Sequence, residues 1–185
     1  MVNDTSMTPI TMMAVESICY RMRDADKREI YAIRPHDNAY RLAWECHSIV
    51  MAQGRGRIAW YRGRPTGFVA FTENWPGNWN VWMFGTDEFK SVVVPMVGWA
   101  RREVKQILEH NSGHRCQCES IMGHDEAHKL LRALGAKPEG PPLLGWGKGG
   151  ESFQRFVWLR DRDAAVSEPG FVRADKNDDV AERAA

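Results

Sequence analysis

Apolar and polar positions along this chain switch repeatedly between a two-residue and a three-to-four-residue period. Alternation in RIAWY (57–61) and TGFVAFT (66–72), on either side of Arg62-Gly63-Arg64-Pro65, predicts a β-hairpin. WPGNW (75–79) predicts a Pro-Gly turn that returns the chain into a third strand, NVWMF (80–84). Upstream, the short apolar run from Ser17 to Tyr20 reads as a strand. Asp24 or Asp26 caps a helix from Lys27 to Ile33, which Pro35 bars from continuing. Asp37 caps a second helix, Asn38 to Ala52, with Leu42, Cys46, Ile49 and Val50 at helical spacing and Gly54 and Gly56 at its end.

Downstream, Thr86 reads as an N-cap with Asp87 and Glu88 in the first turn. Pro95 predicts a break, with a short helix from Asp87 to Val92 and a longer one from Pro95 to Glu109. Val97, Val104, Ile107 and Leu108 form its apolar stripe, while Arg101, Arg102 and Lys105 face water. Cys116 and Cys118 alternate with Gln117 and Glu119 in a strand, and a helix from Asp125 to Leu134 stops at Gly135. LLGW (143–146) and SFQRFVWL (152–159) predict a closing hairpin around Gly147-Lys148-Gly149-Gly150. This order predicts an α/β (α+β) fold, a mixed and mostly antiparallel sheet of about seven strands with about four helices. The strand–helix–strand unit that starts at Asn80 implies one parallel pair joined by a crossover helix. Ligands gather in such units where the helix start faces the strand ends.

Composition narrows the function classes. With 43% hydrophobic residues, residues 1–160 suffice for a single domain with a proper core. Residues 161–185 hold seven acidic and four basic side chains and read as a charged, flexible tail. A net charge of +1 argues against nucleic acid or an anionic membrane as partner. The start lacks the basic and apolar regions of a signal peptide, and no apolar run approaches the ~18 residues of a membrane span. A soluble protein of a reducing compartment is expected. Cys116 and Cys118, one residue apart, are too closely spaced for a usual structural zinc pair, so they read as buried thiols and no metal is expected. His110, His114, His124 and His128 lie near them in sequence without supplying a ligand pattern. Eight Trp suggest aromatic packing or a contact surface, and Trp75 and Trp79 beside the Pro-Gly turn are the candidates for a protein-partner surface.

The segment His124-Asp125-Glu126-Ala127-His128-Lys129-Leu130-Leu131, followed by Leu134-Gly135-Ala136, resembles a helix motif of the GNAT (N-acetyltransferase) superfamily. In that motif Asn, two variable residues, Ala, two more, an aliphatic residue and Tyr precede a Gly-Phe pair. The hairpin AWYRGRPTGFVAF also resembles the family's second and third strands, and the likeness runs roughly from Ile18 to Leu159. More closely, several pieces resemble divergent GNAT-like proteins of short-tailed phages and prophages, some of them described as internal virion proteins. They are Met22-Arg23 with Asp26, Glu29 and Ile30; Trp75-Pro76-Gly77; Trp82 to Asp87; His114 to Cys118; and Gly149 to Phe153. The resemblance implies acetyl-CoA as donor, an amine as acceptor, and a place in the host cytoplasm or the virion. It also implies an alternative, a non-catalytic GNAT-fold protein that works through virion or host protein contacts.

The family's chemistry is incompletely present. Its glycine-rich diphosphate loop corresponds here to Gly85-Thr86-Asp87-Glu88-Phe89-Lys90, whose two acids oppose a diphosphate. Free N–H groups near Phe84, Gly85 and Thr86, and a helix start at Pro95 to Gly98 that includes Val97 and Gly98, are the remaining candidates for holding CoA. The family's general-acid Tyr falls on Leu131 and its Asn on His124. His124, Glu73 and Glu119 are the candidate proton-transfer groups, each with a plain structural alternative as a capping, solvated or ion-paired residue.

Overall fold

The computed structural model describes residues 4–110 and 113–160. Strand β1 (Thr5–Pro9) leads into three helices, α1 (Met12–Tyr20), α2 (Asp24–Ala32) and α3 (Ala39–Gln53). Strands β2 (Gly54–Tyr61), β3 (Arg64–Trp75) and β4 (Asn78–Gly85) follow. Arg62 and Gly63 both adopt positive φ, 48° and 73°, the left-handed pair that closes a two-residue hairpin between β2 and β3. A 3-10 turn (Asp87–Ser91), α4 (Val93–His110), β5 (Arg115–Ile121), α5 (Asp125–Ala133), β6 (Lys137–Leu143) and β7 (Phe153–Leu159) complete the order. Residues 161–185, expected to be a flexible tail, lie outside the described residues.

All seven strands join one sheet in the order β1-β2-β3-β4-β5-β7-β6. The β4–β5 pair is parallel and the other pairs are antiparallel, so α4 is the crossover helix. This is the mixed, mostly antiparallel α/β arrangement expected, with five α-helices among the described residues where about four were expected. Helices α4 and α5 cover one face of the sheet, where Phe71, Val81, Met96, Trp99, Ile107 and Phe156 are buried together. Helices α1 and α3 cover the other, around Ile18, Leu42, Cys46, Ile58, Phe68 and Phe84.

Three expectations change. Ser17 to Tyr20 is helical, because it is the last part of α1, whose Ala14, Val15, Ile18 and Cys19 face the core at helical spacing. Four residues are too few to show that period, and Thr11, whose hydroxyl accepts the Ala14 N–H at 3.3 Å, marks the true start. The first strand is instead the polar Thr5–Pro9 at the sheet edge. The strand before the last loop is Lys137–Leu143, not 143–146; its Pro138, Pro141 and Pro142 are tolerated because β6 is the opposite edge. Helix α4 starts at Val93, two residues before Pro95, which occupies the first turn where a missing N–H leaves no helical bond unmade.

Candidate functional site

The parallel ladder between β4 and β5 is short. It pairs Asn78 with Arg115, Trp79 with Cys116 and Asn80 with Gln117, and then the strands part. A cleft of about 170 Å³ occupies the gap. Val81, Trp82, Met83 and Phe84 form one wall and Cys118, Glu119 and Ser120 the other. Ile30 of α2 and Ile33 at its C-terminal cap line it too, as do Leu130 and Leu131 of α5, so helices from both layers meet there.

Parting leaves main-chain groups on both strand edges without a strand partner, and buried N–H groups need acceptors. Helix α2 supplies them. Asp26 accepts the Gly85 N–H at the end of β4 at 2.8 Å. One turn later, a Glu29 oxygen accepts the Ile121 N–H of β5 at 3.1 Å and the Ser120 hydroxyl at 2.7 Å. The i, i+3 spacing puts both carboxylates on one face of α2, so they bridge the opened end of the sheet. Arg23 Nε lies 2.9 Å from Asp26, within ion-pair range.

His124, at the cap position of α5 and 8% exposed, sits between the two acids. Its Nδ1 is 3.0 Å from Glu29, while its Nε2 lacks a hydrogen-bond partner and lies 3.8 Å from Asp26. The Glu29 hydrogen bond raises the His124 pKa above its ordinary 6.5, overcoming the opposing effect of burial. Burial likewise raises Asp26, against the pull of Arg23 and the Gly85 N–H. The chemistry available is therefore an oriented imidazole in the wall of a largely apolar cleft.

The structure brings His124 and Glu119 to this cleft and leaves Glu73 elsewhere. Glu119 accepts from Arg155 Nε at 2.8 Å. Glu73 accepts the Gly77 N–H at 2.8 Å and holds the β3–β4 turn, which is a structural duty. The amides assigned to CoA are also spent. Thr86 N–H donates to Thr66 O at 2.9 Å, and Gly85 N–H turns the opposite way to Asp26. By the same alternation the Phe84 N–H points to Phe68 on β3, and the N–H facing the gap belongs to Met83. Val97 and Gly98 lie in the second turn of α4, where N–H groups bond carbonyls four residues back, so they form no open helix start.

Asp87 and Glu88 do not line the cleft; they face a separate concavity with Arg21, Lys27 and Arg64. Of the two partner-surface candidates, Trp75 is 58% exposed, but Trp79 is 7% exposed and packs in the core under the Arg55 guanidinium, so it presents no surface. Burial pushes the Cys116 thiol up to about 12 and raises Cys118 as well, which suits packing rather than nucleophilic chemistry. Among the described residues no group of His, Cys, Asp and Glu is arranged to hold a metal ion, and no helix is long and apolar enough to cross a membrane. Asp26 and Glu29 join the site without having been singled out by the sequence pattern. Their i, i+3 spacing behind Arg23 was the available signal, but nothing local shows which strands they reach.

No protein-family model and no curated protein matches the sequence. Solved structures match across most of the chain at low identity. A spermidine N-acetyltransferase mutant from Vibrio cholerae superposes with TM-score 0.63 at 13% identity, covering 89% of this chain and 99% of that one. A V. cholerae spermidine N-acetyltransferase in complex with CoA and spermine gives 0.62 at 11%, covering 85% and 96%. Ribosomal-protein-S5-alanine acetyltransferase from Vibrio fischeri gives 0.59 at 15%, covering 86% and 94%. Likeness at such identity is one of architecture: this protein has the GNAT-like fold of acetyltransferases.

Proposed function

We propose that the protein transfers an acyl group, acetyl in the simplest case, from an acyl-CoA thioester to an amine. The observation that carries this reading is the early end of the β4–β5 ladder, which opens a cleft between Trp82 and Cys118. The apolar walls suit an acyl-pantetheine arm, and the gap-facing Met83 main chain can pair with its amide or carbonyl groups. The diphosphate loop of ordinary family members has no counterpart here. In the reaction the amine nitrogen attacks the thioester carbon, the C–N bond forms and the C–S bond breaks. Neutral His124, oriented by Glu29, takes the amine proton; the thiolate takes its proton from water, since Leu131 has none to give.

Acetyl-CoA titrated into the protein should raise its unfolding free energy, by about 2.7 kcal/mol at one hundred times Kd. Release of free CoA thiol should then depend on an added amine. Absence of stabilisation at millimolar acetyl-CoA would sink the proposal.

A second reading is that a phage-encoded GNAT-fold protein acts without catalysis, through contacts in the virion or with a host factor. Leu131 in the general-acid position, the occupied Gly85 amide and the exposed Trp75 support it.

A further inference from the structure

We propose that Arg23 and Lys90 form a phosphate subsite at the mouth of the cleft, and that the Glu126 carboxylate occupies it until a phosphate-bearing ligand displaces it. The inference rests on the reading that a phosphopantetheine-bearing donor enters the cleft. Two cations from separate elements converge on this one carboxylate. Lys90 Nζ, from the 3-10 turn, is 2.9 Å from Glu126 Oε1, and Arg23, just before α2, reaches to 3.7 Å from Oε2. Arg23 lines the cleft, and so does Phe89, the neighbour of Lys90.

Each partner has the character its part needs. Arg23 is fixed: its Nε lies against Asp26 and its guanidinium carbon sits 4.6 Å over the Phe89 ring. Lys90 is 78% exposed and free to follow a ligand. An exposed ion pair is weak in water, so Glu126 is easily displaced. A phosphate would give both cations a partner with more charge and more acceptor oxygens than one carboxylate. Asp87 and Glu88, the acids that argued against a phosphate from the sequence, line the other concavity, which Arg23 also borders, and not the cleft.

Calorimetric titration with CoA, 4′-phosphopantetheine and pantetheine, on the wild type, Lys90→Ala and Glu126→Gln, tests the subsite. Circular dichroism would first establish that both variants fold. CoA is expected to bind about tenfold tighter than pantetheine, and Lys90→Ala to remove most of that gain. Glu126→Gln should tighten CoA several-fold and leave pantetheine unchanged, a gain that a merely structural ion pair would not produce. 4′-Phosphopantetheine equal to CoA would assign the subsite to the phosphate nearest the arm, and CoA tighter than both would assign it to the diphosphate. Equal binding of CoA and pantetheine, or no tightening in Glu126→Gln, overturns the subsite while the acyl-donor reading stands. Failure of all three ligands to bind overturns both.

Discussion

Glu29 concentrates more of the site's stability than any sequence feature announces. One carboxylate oxygen serves the Ile121 amide, the Ser120 hydroxyl and the His124 imidazole. Glu29→Ala would leave all three without that acceptor in a largely buried place, at a cost of about 3 kcal/mol. Urea denaturation measures it, and a loss below about 0.5 kcal/mol would mean that water replaces the carboxylate. His124 adds a pH dependence. Its pKa is higher in the folded chain than its ordinary value, so its stabilisation is complete below that value and is lost as pH rises through the folded one. Asp26 contributes a loss of the same sign that begins lower, as pH rises above its ordinary carboxylate value. Through His124, the urea midpoint of the wild type should fall as pH rises from 6 to 9. His124→Gln should reduce that fall, and an unchanged slope would remove His124 as its source.

At the scale of elements, the β3–β4 turn shows how two identical residues part company. Pro76 and Gly77, with Gly77 at φ 81°, reverse the chain between Trp75 and Trp79. Trp75 ends a strand and faces solvent, whereas Trp79 re-enters the sheet and joins the core with Cys116 and Trp158. Trp79→Ala should cost about 3–5 kcal/mol and Trp75→Ala less than about 0.5 kcal/mol. Thermal or urea unfolding of the two variants side by side checks the split; comparable losses would contradict the burial argument. Local pattern succeeded where an element carries its own signal. The Arg62-Gly63 hairpin and the helix ending at Gly135 (φ 92°) declare themselves through turn residues and period. It failed for β1 and β6, because edge strands need neither alternation nor free N–H groups on their outer side, and for α1, of which Ser17 to Tyr20 is too short a piece to show the helical period.

At the scale of the whole molecule, the seven strands and two helical layers of the described residues leave an opening where the parallel pair parts and α2 and α5 approach it from opposite faces. The sequence by itself determined the element order from α2 to α5 and the parallel unit starting at Asn80. It also pointed to His124 and Glu119, which line the cleft, because periodicity, turns and helix caps act over a few residues. The cleft was decided only by tertiary structure. The distance between β4 and β5 depends on how α2 sets Asp26, 59 residues before the Gly85 amide it accepts, and Glu29 against the freed amides. The same packing spent the Gly85 N–H, turned Asp87 and Glu88 aside, buried Trp79 and drew Arg23 and Lys90 to Glu126. Such choices belong to pairs of distant residues whose hydrogen-bonding and charge are satisfied together, and no local pattern along the chain encodes them.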